Sequence, residues 1–268
     1  MYWINGQVAD SIPLNDRSFQ YGDGCFSTIL TCNGKPDLWD YHLERMQSTL
    51  TRLSIESPDW KQVSDWISQI AFPDTKAGIK IHISRGQGGR GYSPKGICQS
   101  QVTISRFRYP AHYGLWCDCG VKLAICKTRL GLNPLLAGMK HNNRLEQVLI
   151  KNELDKQDAD DGIVLDIHQR VIETSMANVF WVSDGKLCTP KLTMAGVEGV
   201  MRRHVIQTVG QASLSVNEGE FLLSDLLNAE EIFICNSLLG IAPVIQLESQ
   251  NQYSIGSITR YLQERIIK

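Results

Sequence analysis

Residues 79–83 read Ile-Lys-Ile-His-Ile, a strict alternation of apolar and polar side chains. Successive side chains of a β-strand point to opposite faces, so this stretch predicts a strand with one face buried and one polar. Residues 101–109 supply its sheet partner beyond a glycine-rich loop, and 24–32 reads as a further strand. Near the start, Asn5-Gly6 separates Tyr2-Trp3-Ile4 from Gln7-Val8-Ala9 and accepts the positive φ values of a tight hairpin turn. Two amphipathic helices accompany these strands. Asp40 is placed to cap one carrying Leu43, Met46, Leu50 and Leu53 on a single stripe. The other covers residues 60–71, with Val63, Trp66, Ile67 and Ile70 inward.

The pattern resumes after Pro-Ala-His-Tyr-Gly at 110–114, which reads as a linker. Beyond it come a strand at 121–127, a helix over 142–156 with Leu145, Val148 and Leu149 inward, and strands at 163–165 and 171–172. Val179-Phe180-Trp181-Val182 pairs with Leu187-Cys188 across Asp184-Gly185. Gly199 opens a helix burying Val200, Met201, His204, Val205, Thr208 and Val209. A buried strand at 232–235 and a helix at 258–267 close the chain. The reading is an α/β protein of the α+β type with two domains, 1–112 and 113–268, a size that 268 residues readily fill.

A formal net charge of −1 gives no general attraction to nucleic acid or acidic lipid. No apolar run reaches bilayer length, and MYWINGQVAD lacks the basic-then-apolar layout of a signal peptide, so a cytoplasmic address is expected. The eight cysteines then read as reduced, several of them in strand-like surroundings. Cys117-x-Cys119 has neither a zinc ligand gap nor a second pair, and no metal is expected.

Three places could carry chemistry. In LAGMKHNNRLEQ, Lys140 follows a small-residue turn with no carboxylate within five residues on either side. Glu173, at a strand end before Thr174-Ser175, is either a solvated turn residue or a buried carboxylate awaiting a cation. Gly196-Val197-Glu198-Gly199 delivers glycines to a helix start, where unpaired amides and the helix dipole favour an anion, although plain capping needs no anion at all. A pyridine-aldehyde cofactor with a phosphate tail needs an amine for its imine, a carboxylate for its ring nitrogen and a phosphate cup; Lys140, Glu173 and the Gly199 helix start would supply all three. The SRGQGGRGY loop lacks the Gly-Lys-Ser/Thr of a phosphate loop and reads as a substrate cover or a structural loop. A single Arg-Gly unit in a neutral chain argues against RNA binding, and no serine elbow serves a Ser-His-Asp hydrolase.

The blocks YGDGCFST (21–28), HLERM (42–46), KHNNRLEQ (140–147), ETSMANVF (173–180) and GVEGVMR (196–202), in this order over nearly the whole chain, resemble the class-IV pyridoxal-phosphate aminotransferase family. The resemblance implies the two-domain fold-type IV architecture, pyridoxal 5′-phosphate as cofactor, and a homodimer. It implies that Lys140 carries the cofactor, that Glu173 pairs with the pyridinium nitrogen, and that Arg45 holds the phosphate with the Val200 and Met201 amides. Ser237 falls where relatives carry a phosphate-binding threonine. RLGLNPLLAGMKHNNRLEQVLI, SRGQGGRGYS and YPAHY are similar to the lyase branch that cleaves 4-amino-4-deoxychorismate to 4-aminobenzoate and pyruvate, a step of folate biosynthesis. A D-amino acid or branched-chain transaminase shares the lysine, glutamate and phosphate cup and is the alternative. Loop position and chemistry, rather than any motif, make Arg85, Arg90, Tyr92, Arg106 and Tyr109 the substrate-binding candidates.

Overall fold

The computed structural model describes residues 1–211 and 215–266, and the chain divides into two compact units. The first comprises Met1–Pro110 together with Met139–Asn143. It is built on β1 (Tyr2–Ile4), β2 (Gln7–Ala9), α1 (Arg17–Tyr21), β3 (Gly24–Cys32), β4 (Lys35–Pro36), α2 (Trp39–Arg52), α3 (Trp60–Ile70), β5 (Ala77–Ser84) and β6 (Gln101–Arg108). The strands form one sheet in the order β2-β1-β6-β5-β3-β4, each pair antiparallel. Asn5 and Gly6 make the expected turn, with φ of 47° and 80°, and set Tyr2 opposite Ala9.

The alternation in β5 places the helices. Ile79, Ile81 and Ile83 are fully buried in a core with Cys25, Ile29, Met46, Leu50, Val63 and Ile67, so α2 and α3 cover that face. Each such isoleucine contributes about 1.5–3 kcal/mol relative to exposure. The opposite face carries Phe26, Thr28, Lys80 and His82, since Phe26 pairs with His82 and Thr28 with Lys80.

Helix α2 departs from expectation. Its N-cap is Leu38, at φ 49° and without a side-chain cap bond, and Asp40 lies inside the first turn. Its buried residues are His42, Met46, Thr49 and Leu50, while Leu43 is half-buried. Hydrophobicity alone rotates the stripe because His42 and Thr49 are polar. Their hydrogen bonds, to Ser27 Oγ and the Arg45 carbonyl, make burial tolerable.

The second unit takes in Ala111–Gly138 and the chain from Arg144 onward. It contains α4 (His112–Cys119), β7 (Val121–Ile125), α5 (Leu145–Leu154), β8 (Asp161–Leu165), β9 (Val171–Thr174), β10 (Asn178–Ser183), β11 (Lys186–Pro190), α6 (Val200–Gln211) and β12 (Val216–Gly219). Then follow α7 (Leu223–Leu227), β13 (Glu231–Asn236), β14 (Gly240–Leu247), β15 (Asn251–Gln252) and α8 (Ser257–Ile266). The sheet runs β12-β11-β10-β13-β14-β7-β8-β9, with β15 on β14. Phe180 and Phe233 stack at 5.1 Å in its interior.

The expected linker at 110–114 is in part the first turn of α4. In α5, Ile150 and Leu154 point inward against Ala124, Cys126 and Val164. Leu145, Val148 and Leu149 are 79%, 53% and 57% exposed, the reverse of the expected arrangement. The helix is apolar on two sides, and periodicity does not say which of two stripes meets the sheet. The end of the expected 258–267 helix, Ile267, lies outside the described residues. The lysine segment also differs from the expected division: Met139–Asn143 packs with the first unit although the chain on either side belongs to the second.

Candidate active site

That segment is held by backbone pairing. The Phe26 amide donates to the Lys140 carbonyl at 3.0 Å and the Asn142 amide to the Gly24 carbonyl at 3.1 Å, so residues 140–142 bridge onto β3 as a short antiparallel strand. Two asparagines fasten it further. Asn142 Nδ2 donates to Ser18 Oγ at 2.8 Å and to the Ile83 carbonyl at 3.2 Å; Asn143 Nδ2 donates to the Gly22 carbonyl at 3.1 Å. Gly22 and Gly24 have φ of +65° and +156°, and a Cβ on either would collide with these asparagines. The half-buried Lys140 side chain brings its amine to 4.7 Å from the Phe26 ring centroid.

Arg45 stands at the same strand. Its Nη2 donates to Ser27 Oγ at 2.7 Å, and that hydroxyl lies 2.7 Å from His42 Nδ1. His42 is fully buried, and desolvation, then the positive charges of Arg45 and Lys140, push its imidazole well below the ordinary range. It is neutral, so Ser27 accepts from the guanidinium and is free to donate to the imidazole nitrogen. Ser27 and His42 were not singled out by sequence. The one available signal was the inward position of His42 beside Arg45 in HLERM.

In the second unit Glu173 is 7% exposed and its Oε2 accepts the Val197 amide at 2.9 Å. It is a buried carboxylate, which removes the solvated-turn alternative. Burial pushes the Arg144 guanidinium below its ordinary value, and the negative charges of Glu173 and Glu146 offset part of that. Arg144 is therefore a cation beside Glu173 that sequence reading missed. The turn after Glu173 is held by fully buried Asp161, whose Oδ1 accepts from the Ser175 amide and hydroxyl. Asn178 Nδ2 donates to the Val197 carbonyl at 2.9 Å. A Cβ on Gly199 would lie 2.0 Å from Asn178 Oδ1, so only glycine fits where α6 begins. Val200 and Met201 occupy the first turn of α6, where amides have no intrahelical partner. Ser237 is half-buried in the turn between β13 and β14, a turn capped by Asn236 Oδ1 at 2.9 and 2.8 Å.

The first unit supplies an amine and a guanidinium, and the second a buried carboxylate and a helix start closed to side chains; these are the residue types that the aldehyde, phosphate and ring nitrogen of pyridoxal phosphate call for. The residues present fit that group.

The substrate candidates fare differently. Arg85 is 9% exposed, grips Asp23 at 2.7 and 3.1 Å, and donates to the Ser54 and Leu53 carbonyls at 2.7 Å each. Its donors are committed to the fold, so it is no substrate anchor. Arg106 lies on the helix-covered side, donating to the Ile70 carbonyl at the end of α3 and stacking over Phe72 at 4.2 Å. Its role too is structural. Tyr109 has Lys76 at 5.5 Å from its ring. Arg90 is exposed, and Tyr92 is 85% exposed with its ring 5.4 Å from Tyr21. The glycine loop is pinned by buried Arg17, which donates to the Gly91, Tyr92 and Ser93 carbonyls and to Asp23. Burial raises the Asp23 carboxyl, but hydrogen bonds from Arg85 and Arg17 outweigh it and hold the group below its ordinary value.

Residues 24–247 match the family model described as amino-transferase class IV. The chain is 53% identical to the aminodeoxychorismate lyase of Vibrio harveyi over 98% of both chains. The crystal structure of 4-amino-4-deoxychorismate lyase from Pseudomonas aeruginosa superposes with a TM-score of 0.93 at 34% identity, covering 99% of this chain and 97% of that one. The branched-chain amino acid aminotransferase of Escherichia coli gives a TM-score of 0.85 at 22% identity, covering 98% and 92%, a likeness of fold.

Proposed function

The chain belongs to the class-IV aminotransferase family, and on that premise we propose that it is a pyridoxal-phosphate-dependent lyase. It cleaves 4-amino-4-deoxychorismate to 4-aminobenzoate and pyruvate, a step toward folate. The observation that carries this reading is 53% identity to a lyase across 98% of both chains, against 22% to a transaminase of the same fold.

Bound, the cofactor supplies an electron sink for the pair left when the substrate loses a proton. The rest is done by side chains. Lys140 would hold the cofactor through its amine, and as a free amine it takes the proton from the carbon bearing the substrate nitrogen. The enolpyruvyl oxygen leaves with the pair of its carbon–oxygen bond. Lys140, now protonated, gives its proton to the departing methylene, which becomes the methyl of pyruvate. The ring left behind is aromatic, which drives the step forward. Glu173 would hold the ring nitrogen through its carboxylate, with the cationic Arg144 near that carboxylate. Arg45 would hold the phosphate, with its guanidinium fixed by Ser27 and, through Ser27, by His42. The Val200 and Met201 amides and the Ser237 hydroxyl would complete the phosphate cup.

Two finer readings accompany this one. The protein acts as a homodimer, in keeping with the exposed apolar face of α5. It works in the cytoplasm: its cysteines are free thiols, and no helix among the described residues is long and apolar enough to cross a membrane. Comparing two reactions of the purified protein tests the function. Pyruvate and 4-aminobenzoate released from aminodeoxychorismate support the lyase; pyridoxamine phosphate accumulating from D-alanine, with no pyruvate from aminodeoxychorismate, replaces it with the transaminase.

A further inference from the structure

With Arg85 and Arg106 committed to the fold, the substrate's carboxylates need another cation. Lys80 projects from β5 on the sheet face opposite α2 and α3, the face that also carries Phe26. Its amine lies 4.7 Å from the Phe26 ring centroid, the same separation as the amine of Lys140. Two lysine amines thus approach one aromatic ring. Lys80 is exposed and forms no salt bridge among the described residues. The next residue along this face, His82, is occupied: its Nε2 lies 3.1 Å from Ser18 Oγ, and burial, then the charge of Lys80, lowers its pKa. Thr28 and Ser105 pair directly with Lys80 across the sheet. Phe107 and Leu30 flank Gly78 farther along the same face, and at the Phe26 end Lys80 is an exposed cation close to the ring that the Lys140 amine also approaches.

We propose that Lys80 is a specificity-determining residue that binds the ring carboxylate of the substrate while the substrate's amine occupies the place of the Lys140 amine. This rests on the lyase reading above. The amine and the ring carboxylate of aminodeoxychorismate stand at opposite ends of one six-membered ring. Lys140 and Lys80 each bring an amine to 4.7 Å from the centre of the Phe26 ring, so a single six-membered ring seated beside Phe26 has both amines near it. An ammonium–carboxylate contact is charge-assisted. Phe26 offers its face to the conjugated ring and to the aromatic product. The alternation Ile79-Lys80-Ile81 is then more than a device for burying isoleucines: it sets the lysine outward at the pair where β3 brings Phe26 alongside.

The test compares Lys80→Met, Lys80→Arg and, as a control on the exposed face of α3, Lys61→Met, each as holoenzyme. KM for aminodeoxychorismate and the equilibrium Kd for 4-aminobenzoate should both rise about tenfold or more in Lys80→Met. Lys80→Arg should recover most of the loss, and Lys61→Met should match the wild type. The yield of borohydride-fixed cofactor on the Lys140 peptide should be unchanged in all three, separating substrate binding from cofactor binding. Unchanged KM and unchanged 4-aminobenzoate affinity in Lys80→Met overturn the proposal, as does a fall in kcat alone. Absence of pyruvate release in the wild type would instead overturn the lyase reading, and the 4-aminobenzoate Kd would still decide the role of Lys80.

Discussion

The Lys140 carbonyl accepts from the Phe26 amide at 3.0 Å while its amine lies 4.7 Å from the Phe26 ring, so one residue of β3 holds both ends of the lysine. Lys140→Ala keeps the main-chain bond and removes the amine. Turnover should fall by about three orders of magnitude or more, since cofactor attachment and proton transfer are lost together, and borohydride should fix no cofactor to the 139–143 peptide. Glu173→Gln keeps the shape and the Val197 contact but removes the charge. Cofactor binding should survive, with kcat lowered on the order of a hundredfold in single-turnover measurements. His42 gives a different kind of expectation. Desolvation, then Arg45 and Lys140, depress its pKa, so it is neutral in the fold and takes up a proton on unfolding below about pH 6.5. The unfolded state binds more protons in that range, so this part of the stability is present above about pH 6.5 and is lost as pH falls. His82, also depressed, acts with the same sign. Tm should drop between about pH 6.5 and 5, and His42→Asn should flatten that slope; an unaltered slope would contradict the assignment.

Among the elements, the join of the lysine segment to β3 is the most exacting. It depends on two backbone bonds, two asparagines and two glycines with positive φ. A Cβ at Gly24 would lie 2.0 Å from the Ile83 carbonyl and 2.7 Å from Asn142 Nδ2. Since the carbonyl belongs to the β3–β5 ladder, the strand cannot give way cheaply. Gly24→Ala should destabilise by about 2–4 kcal/mol, read by denaturant unfolding. The protein that remains folded should bind cofactor more weakly, because Lys140 shifts with the strand. Asn142→Ala should cost only about 1 kcal/mol, since the backbone bonds persist. Helix α5 poses the opposite problem. Its inward stripe is short, Ile150 and Leu154, and its outward leucines cost nothing internal when changed.

For the whole molecule, those outward residues carry the expectation about assembly. Sedimentation should give a dimer, and replacing Leu145 and Leu149 together by lysine should weaken it without lowering the Tm of the monomer; a monomeric wild type would remove the reading. The extent to which sequence foretold this molecule follows from the range of the forces involved. Strands, turns and helices were legible at Ile79-Lys80-Ile81, Asn5-Gly6 and residues 60–71 because alternation, turn chemistry and helical spacing act between near neighbours in the chain. Lys140, Glu173 and Gly199 stood out because their residue types and order match what one ligand requires. Which of two apolar stripes α5 buries, that His42 replaces Leu43 inside, and that Arg85 and Arg106 serve the fold were decided by partners from other elements: the β7–β8 surface, Ser27 at 15 residues, Asp23 at 62 and the Ile70 carbonyl at 36. Burial and hydrogen-bond satisfaction are properties of the assembled surroundings. A linear pattern states what each residue prefers, and only the packed structure determines which preferences are met.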